Sequence, residues 1–279
     1  MIERSFQAMG GSVEVQLVEG PASAVDEIAG LFETYEYRLS RFLPWGELAA
    51  LHRAAGSPFP ASPTLFEAIS HAVEWARTTG GVFDPTVRDA LEASGYDRSF
   101  EHVRGGAAVQ ARPAATGLSW RHIGLQPVTR IITIPRGLHI DLGGIGKGFT
   151  VDHAMSTLDH PANAMVNASG DLYAGGAGPE GDGWHAGVAD PRDPERDVAV
   201  LRVRDRGVAT SGSTGRWWMA GDERYHHLID TRSRRPARSD LLTATVVAET
   251  AMQAALLAKT AFLLGSAEGL AFVERCGAA

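Results

Sequence analysis

The alternation of apolar and polar residues along the chain predicts a mixture of short strands and amphipathic helices. Strict alternation at residues 12–17 (SVEVQL) is typical of a half-buried strand, whereas the apolar spacing at 22–37 and 64–79 is typical of helices. The remaining predicted elements are a short helix from Gly46, a hairpin at 130–142, strands at 164–173, 184–189, 199–203, 225–229 and 243–248, and a helix at 249–265. Strands and helices do not alternate regularly, so we predict an α+β fold with residues 1–279 in a single domain.

Composition narrows the class of protein. Hydrophobic residues make up 44% and charged residues 21% of the 279 positions, which are ordinary globular values. A net charge of −7 argues against a nucleic-acid partner, which would require a basic face. Cys276 is the only cysteine, so neither a disulfide framework nor a cysteine metal site is expected. Apolar segments of about ten residues are too short to span a bilayer, and no signal peptide is recognisable, so we expect a cytoplasmic protein.

A glycine-rich segment, HIDLGGIGKGFTVDHAM at residues 139–155, is the most informative stretch of the chain. An apolar run, a glycine turn and the start of a helix form an arrangement that binds phosphate. The segment is not a Walker A motif, since Asp141 and Gly148 occupy the required Gly and Ser/Thr positions. It is not the dinucleotide fingerprint either, since Phe149 replaces the third glycine. Taken alone, the segment indicates either a phosphate site or a tight turn that needs positive φ.

Lysine is almost absent from the chain. All but two of the 26 basic residues are arginine, and the exceptions are Lys147 and Lys259. Either a codon bias left two lysines by chance, or these positions need a compact ammonium group.

Eight segments, in order along almost the whole chain, resemble the ApbE family of FAD:protein FMN transferases. The segment from Asp141 to Asp152 is similar to the family's D-L-G-G-I-A-K-G-Y-x-x-D. The other seven are AMGG (8–11), LSRFLPWGELAALH (39–52), GGVFDPTV (80–87), NASGD (167–171), ATSGS (209–213), HHLID (226–230) and TAMQAALLAKTAFLLG (250–265).

The resemblance implies a fold and a reaction. The fold would be an ApbE-like mixed sheet with flanking helices, and a ligand cleft between two closely joined subdomains. FAD would be a substrate: with Mg²⁺, family members cleave its pyrophosphate and attach FMN to a Ser or Thr hydroxyl of an acceptor flavoprotein. Such a reaction requires neutralised phosphate charge and a base for the hydroxyl proton.

The resemblance also implies roles for particular residues. His227 aligns with the histidine expected to assist transfer, as proton acceptor or phosphate ligand, and His226 is the weaker choice. The positions that match flavin-nucleotide contacts are Met9, Phe42, Val82, Phe83, Asp84, Asp141, Lys147 and Ile229.

The predicted metal site departs from the family pattern. The family holds Mg²⁺ through a backbone carbonyl, at Gly144 here, and through an Asp and a Thr of the final helix. Those two positions are Ala255 and Lys259, four residues apart on one helix face. Mg²⁺ prefers oxygen ligands, so Mg²⁺ binding is doubtful. We hypothesise that Lys259 holds the pyrophosphate in place of the metal; the alternative is drift after loss of function.

A second departure follows the histidines. The family's D-P-x-T-G has become Asp230 to Arg234, with arginine at the glycine position. A local basic cluster, either a phosphate contact or a solvated loop, consists of Arg216, Arg232, Arg234, Arg235 and Arg238. We therefore predict a flavin transferase. The alternatives are a non-catalytic FAD- or nucleotide-binding protein and an enzyme of the same fold with a different reaction.

Overall fold

The structure, a computed structural model, describes residues 1–104, 117–159 and 162–279. Its helices are α1 (Ser23–Leu39), α2 (Glu47–Arg53), α3 (Pro63–Thr78), α4 (Arg88–Ala93), α5 (Phe100–Arg104), α6 (Gly146–Ser156), α7 (Ala251–Leu264) and α8 (Ser266–Arg275), with a 3₁₀ turn at Trp120–His122. Its strands are β1 (Ile2–Ala8), β2 (Gly11–Leu17), β3 (Phe59–Pro60), β4 (Gly124–Gln126), β5 (Ile131–Thr133), β6 (Ala164–Ala168), β7 (Asp171–Gly175), β8 (Trp184–Asp190), β9 (Asp193–Val203), β10 (Arg206–Gly212), β11 (Trp217–Ala220), β12 (Glu223–His226), β13 (Ile229–Asp230), β14 (Arg235–Pro236) and β15 (Thr243–Ala248). The α+β prediction is confirmed. None of the helices in these ranges is both long and apolar enough to cross a membrane.

The first of two compact units contains the large sheet and comprises Met1–Thr34, Ile145–Gly215 and Asp240–Ala279. Six strands form this sheet in the order β1-β2-β6-β7-β10-β15, and every neighbouring pair is antiparallel. The alternation of β2 buries Val13 and Val15 on the same side of the strand. These side chains pack in one core with α1 and α6, and α7 packs on β10 and β15. The β8–β9 ribbon packs in a separate core with β7 and β10.

The second unit comprises Tyr35–Gly144 and Arg216–Ser239. It contains α2 to α5 and three small sheets, β3-β5-β4, β11-β12 and β13-β14. Helix α3 begins where Ser62 accepts a hydrogen bond from the Leu65 N–H, and Pro63 occupies its first position. An apolar core joins α4 to the β11–β12 and β13–β14 hairpins. The single-domain assignment of residues 1–279 stays a prediction.

The predicted hairpin at 130–142 is wrong in its second half. Only Ile131–Thr133 forms a strand, which pairs with β3 and β4. The Ile140 N–H donates to His52 Nε2 at 2.9 Å, and the Asp141 N–H donates to the Pro85 carbonyl at 2.7 Å. These two N–H groups therefore form hydrogen bonds with a side chain and a distant loop, and not with a neighbouring strand.

Candidate functional site

The glycine-rich segment enters helix α6 earlier than the apolar pattern predicts. The residues from Val151 to Leu158 carry the helical pattern in the sequence, but helix α6 begins at Gly146, so Lys147 is its second residue. No side chain caps the first turn at Ile145. The uncapped backbone N–H groups and the helix dipole favour an anion at this end of α6.

Three of the sequence motifs meet at Lys147 in the first unit. Met9 and Gly10 form the turn between β1 and β2 with positive φ, and Ser169 lies in the turn between β6 and β7. A Cβ atom on Gly11 would lie 3.3 Å from Lys147 Nζ and 2.1 Å from Ser169 Oγ. A larger residue at position 11 would displace both groups. The glycine therefore permits a close approach between the motif turns and the ammonium group.

Asp152, the last residue of the Asp141–Asp152 motif, positions α7 against α6. Its two carboxylate oxygens accept hydrogen bonds from the Ala251 and Met252 N–H groups at 2.8 and 2.9 Å. Burial raises the pKa of Asp152, and these hydrogen bonds oppose the increase. Gly148 allows the close packing, because a Cβ atom there would lie 2.7 Å from the Ala251 carbonyl oxygen.

The side chains at the family's metal positions do not suit Mg²⁺. Ala255 is buried in α7 and Lys259 is half-buried one turn later, so neither of the two side chains predicted at the metal site offers an oxygen atom. The next residue, Thr260, donates its hydroxyl to the Leu256 carbonyl at 2.8 Å within the helix. Within residues 1–104, 117–159 and 162–279, no three His, Cys, Asp or Glu side chains are grouped to hold a metal ion. Gly144, the predicted backbone ligand, ends the Tyr35–Gly144 segment.

Asp141 is held by an arginine that sequence analysis missed. Arg41 Nε lies 2.7 Å from Asp141 Oδ2, with side chains only 4% and 11% exposed. Asp141 Oδ1 accepts from the Gly143 N–H at 2.9 Å. Arg41 also donates to the Tyr96 carbonyl at 2.7 Å. The only sequence signal is a charged residue immediately before the predicted contact Phe42.

Phe42 forms part of an aromatic wall in the second unit. The Arg41 guanidinium lies 4.2 Å from its ring centroid and 4.7 Å from that of Tyr96. The Phe42 and Tyr96 rings are 5.8 Å apart, and Trp218 follows at 5.5 Å from Tyr96. Phe42 is the exposed member of this row, so an aromatic ligand has an accessible ring face there.

The Val82–Phe83–Asp84 segment forms a buried polar turn. Asp84 Oδ1 accepts from the Thr86 N–H and hydroxyl at 2.8 and 2.7 Å. Burial raises the pKa of Asp84, and hydrogen bonds from Thr86 and the Trp120 backbone, together with the charge of Arg234, oppose the increase. Phe83 is buried and Val82 is half-buried.

The two adjacent histidines occupy different surroundings. His226 is buried, with Nε2 3.0 Å from the Ala237 carbonyl and Nδ1 accepting from the Leu228 N–H at 3.3 Å. Burial lowers its pKa. Both ring nitrogens of His226 are thus used within the fold, whereas His227 is half-buried. The Ile229 side chain packs in the core of the second unit, and Ile229 pairs with Pro236 between β13 and β14.

His52 links α2 to the strand-free 138–142 segment. Its Nε2 accepts from Ile140, and its Nδ1 lies 3.0 Å from Arg88 Nη1. Both nitrogens therefore face donors, and a neutral ring is favoured. Burial, Arg88 and His139 lower the pKa of His52 from 6.5 to about 3.

The His52 environment predicts a pH-dependent loss of stability. The unfolded chain binds a proton at His52 below pH 6.5, and the folded chain binds it only near pH 3. Stability is therefore present above pH 6.5 and is lost as the pH falls, by roughly 1.4 kcal/mol per pH unit in the steep part of this window. A glutamine amide reaches about as far as Nε2 and can accept from Ile140 without titrating, so we expect His52→Gln to flatten the decline in denaturant unfolding between pH 7 and 4. Equal declines in both chains would contradict this assignment.

Comparisons with known proteins identify the family. The sequence matches the model of the ApbE family over residues 9–279. A FAD:protein FMN transferase from Treponema pallidum is 29% identical over 277 residues, covering 90% of this chain and 74% of the relative. One from Salmonella typhimurium is 27% identical over 237 residues, covering 82% and 67%.

Solved structures show the same fold. The ApbE protein of Thermotoga maritima matches with a TM-score of 0.85 and 25% identity, covering 99% of this chain and 92% of that one. The flavin transferase ApbE of Vibrio cholerae matches with a TM-score of 0.82 and 23% identity, covering 99% and 91%. The ApbE-like fold is confirmed, and the chain belongs to the ApbE family.

Proposed function

We propose that this protein is a FAD:protein FMN transferase, which moves FMN from FAD to a Ser or Thr hydroxyl of an acceptor flavoprotein. One observation carries the proposal: the Met9–Gly10 turn and the Ser169 turn lie close to Lys147 of the glycine-rich segment. Lys147 belongs to the first turn of α6, which no side chain caps. This arrangement offers a positive charge and backbone donors to a phosphate. The names of the relatives from Treponema pallidum and Salmonella typhimurium support the same reaction.

The reaction exchanges one phosphorus–oxygen bond for another. The acceptor hydroxyl oxygen bonds to the FMN phosphorus, and the bond to the AMP phosphate breaks. His227 accepts the hydroxyl proton, because its neighbour His226 has both nitrogens engaged. Lys147 and the first-turn amides of α6 oppose the negative charge that develops on the pyrophosphate. AMP leaves, and FMN remains as a phosphoester of the acceptor.

The second unit offers further contacts to the flavin nucleotide. Phe42 presents an exposed ring face, and Asp141 is fixed by Arg41. The Val82–Phe83–Asp84 turn supplies a buried carboxyl group. An apolar ring with a few polar anchors is what a nucleotide site requires. Met9, also a predicted contact, packs on the core of β2 and α6 in the first unit.

Lys259 is proposed to replace the metal in holding the pyrophosphate. Its ammonium group and the Ala255 methyl group occupy positions where Mg²⁺ would need oxygen ligands. We expect Lys259→Ala to weaken FAD binding in EDTA by about tenfold or more, as for a lost charge-assisted hydrogen bond. Unchanged FAD affinity in a fluorescence titration would argue for drift instead. The paired change Ala255→Asp with Lys259→Thr restores oxygen ligands, so its activity should become sensitive to EDTA.

The function is tested by incubating the protein with FAD, with Mg²⁺ or with EDTA, and separating the nucleotides by HPLC. A Thr-containing acceptor peptide analysed by mass spectrometry reports transfer. AMP release with a peptide mass gain equal to FMN less one water, as expected for a phosphoester, supports the transferase. Tight FAD binding without AMP release would favour a second candidate, a non-catalytic FAD-binding protein, for which the Ala255 substitution is the specific observation. Failure to bind FAD in any condition would reject both.

A further inference from the structure

Arg234 occupies a backbone conformation that disfavours it. It lies in the turn between β13 and β14, where its φ is +55°. Its N–H donates to the Asp230 carbonyl at 2.8 Å, which closes this turn. Left-handed φ suits glycine, and a side chain there is strained. The chain thus maintains a strained backbone at a position where glycine would be relaxed.

The side chain of Arg234 carries a second cost. Its Nε atom is buried and has no hydrogen-bond partner among the residues that the structure describes. Burying a donor without an acceptor opposes folding, and native structures rarely tolerate it without a reason. Strain and an unsatisfied donor on one residue are a combination that points to a ligand.

The surroundings of Arg234 indicate which ligand. Its charge acts on Asp84, but Asp84 already accepts hydrogen bonds from Thr86 and from the Trp120 backbone. Asp84 therefore does not depend on the Arg234 guanidinium for its hydrogen bonds. Thr231 of the same turn donates its hydroxyl to the Gly81 carbonyl at 2.7 Å, which fixes the turn against the 81–84 segment. A guanidinium held beside a proposed flavin-nucleotide contact is suited to a phosphate oxygen.

We propose that Arg234 binds a phosphate oxygen of the flavin nucleotide beside Asp84. The inference rests on the proposed function. It adds a phosphate-binding side chain at a position where the family pattern has glycine, which has no side chain.

The test compares Arg234→Gly with the matched variant Arg232→Gly. Arg232 belongs to the same turn, but its side chain is 91% exposed and its Nε lies 3.5 Å from Asp230 Oδ1. Each protein is titrated with FAD, FMN and riboflavin in EDTA, and its thermal unfolding is recorded. We expect Arg234→Gly to weaken FAD and FMN binding by about 10- to 100-fold, with riboflavin binding unchanged. Its melting temperature should stay level or rise, because glycine relaxes the backbone.

Three outcomes would overturn the Arg234 assignment alone, and a fourth would overturn the proposed function with it. Arg234→Gly that binds FAD as tightly as the unaltered chain would show that no phosphate contact exists. Equal loss of riboflavin affinity would indicate a general change in the pocket. A loss of FAD affinity that Arg232→Gly reproduces would indicate surface charge alone. If the unaltered chain binds neither FAD nor FMN, the proposed function fails and the phosphate contact fails with it.

Discussion

His227→Asn is expected to lower the rate of FMN transfer by about 10²- to 10⁴-fold, the usual contribution of a positioned proton acceptor. The affinity for FAD should change little, because proton transfer belongs to the reaction step and asparagine keeps a neutral polar side chain. Single-turnover transfer to the acceptor peptide, measured at saturating FAD, separates this loss from binding. A fall in FAD affinity with an unchanged rate would assign His227 to phosphate binding instead.

His226→Asn is the matched control for this result. His226 is buried and bonded through both nitrogens to the backbone near residues 228 and 237, so its loss should lower the melting temperature. The rate per folded molecule should remain close to that of the unaltered chain. Reversed effects at the two positions would exchange their assigned roles.

Arg41→Met is expected to lower the free energy of unfolding by about 3–5 kcal/mol, because it leaves the Asp141 carboxylate buried without its cation. The same change removes the donor to the Tyr96 carbonyl. Denaturant unfolding at neutral pH measures the loss. Adding Asp141→Asn to Arg41→Met removes the uncompensated charge and should recover much of the stability, which identifies the ion pair as the cause.

Arg98→Met provides a surface control in which the arginine Nε and the carboxylate oxygen are equally far apart. Arg98 Nε lies 2.7 Å from Asp97 Oδ1, the distance found in the Arg41–Asp141 pair, but these side chains are 58% and 47% exposed. Solvent screens such pairs, so the effect on stability should be far smaller. Similar losses for Arg41→Met and Arg98→Met would mean that the Arg41 pair is not effectively buried.

Elements with a strong local pattern were predictable from the sequence. The predicted strand at 243–248 coincides with β15, and the helices predicted at 22–37 and 64–79 correspond to α1 and α3. The edge strand β1 was missed because its ERSFQ stretch is largely polar and pairs only with β2. The apolar 138–142 segment was mistaken for a strand because its hydrogen bonds go to His52 and Pro85, distant residues that no local pattern identifies.

Site residues that lie in intact motifs were predictable from the sequence. Contacts between residues that are distant in the sequence were not. The motifs that contain Lys147 and Asp84 identified both residues as predicted flavin-nucleotide contacts. Arg41 and Asp141 are 100 positions apart in the sequence, neither motif indicates that they pair, and only the folded chain brings them together. For Arg234, the sequence reveals a substituted glycine, but only the backbone shows that its left-handed φ has been kept.

The sheet order of the first unit has a consequence for synthesis on the ribosome. Strand β2 ends at Leu17, and its partner β6 begins at Ala164. At about 5–20 residues per second, on the order of 10 s separate the two strands as they emerge. During that interval the inner edge of β2 lacks its neighbour and is open to wrong pairing. Helix α1, which follows directly and packs on the same apolar face, is placed to cover that face of the nascent hairpin until β6 pairs with the open edge.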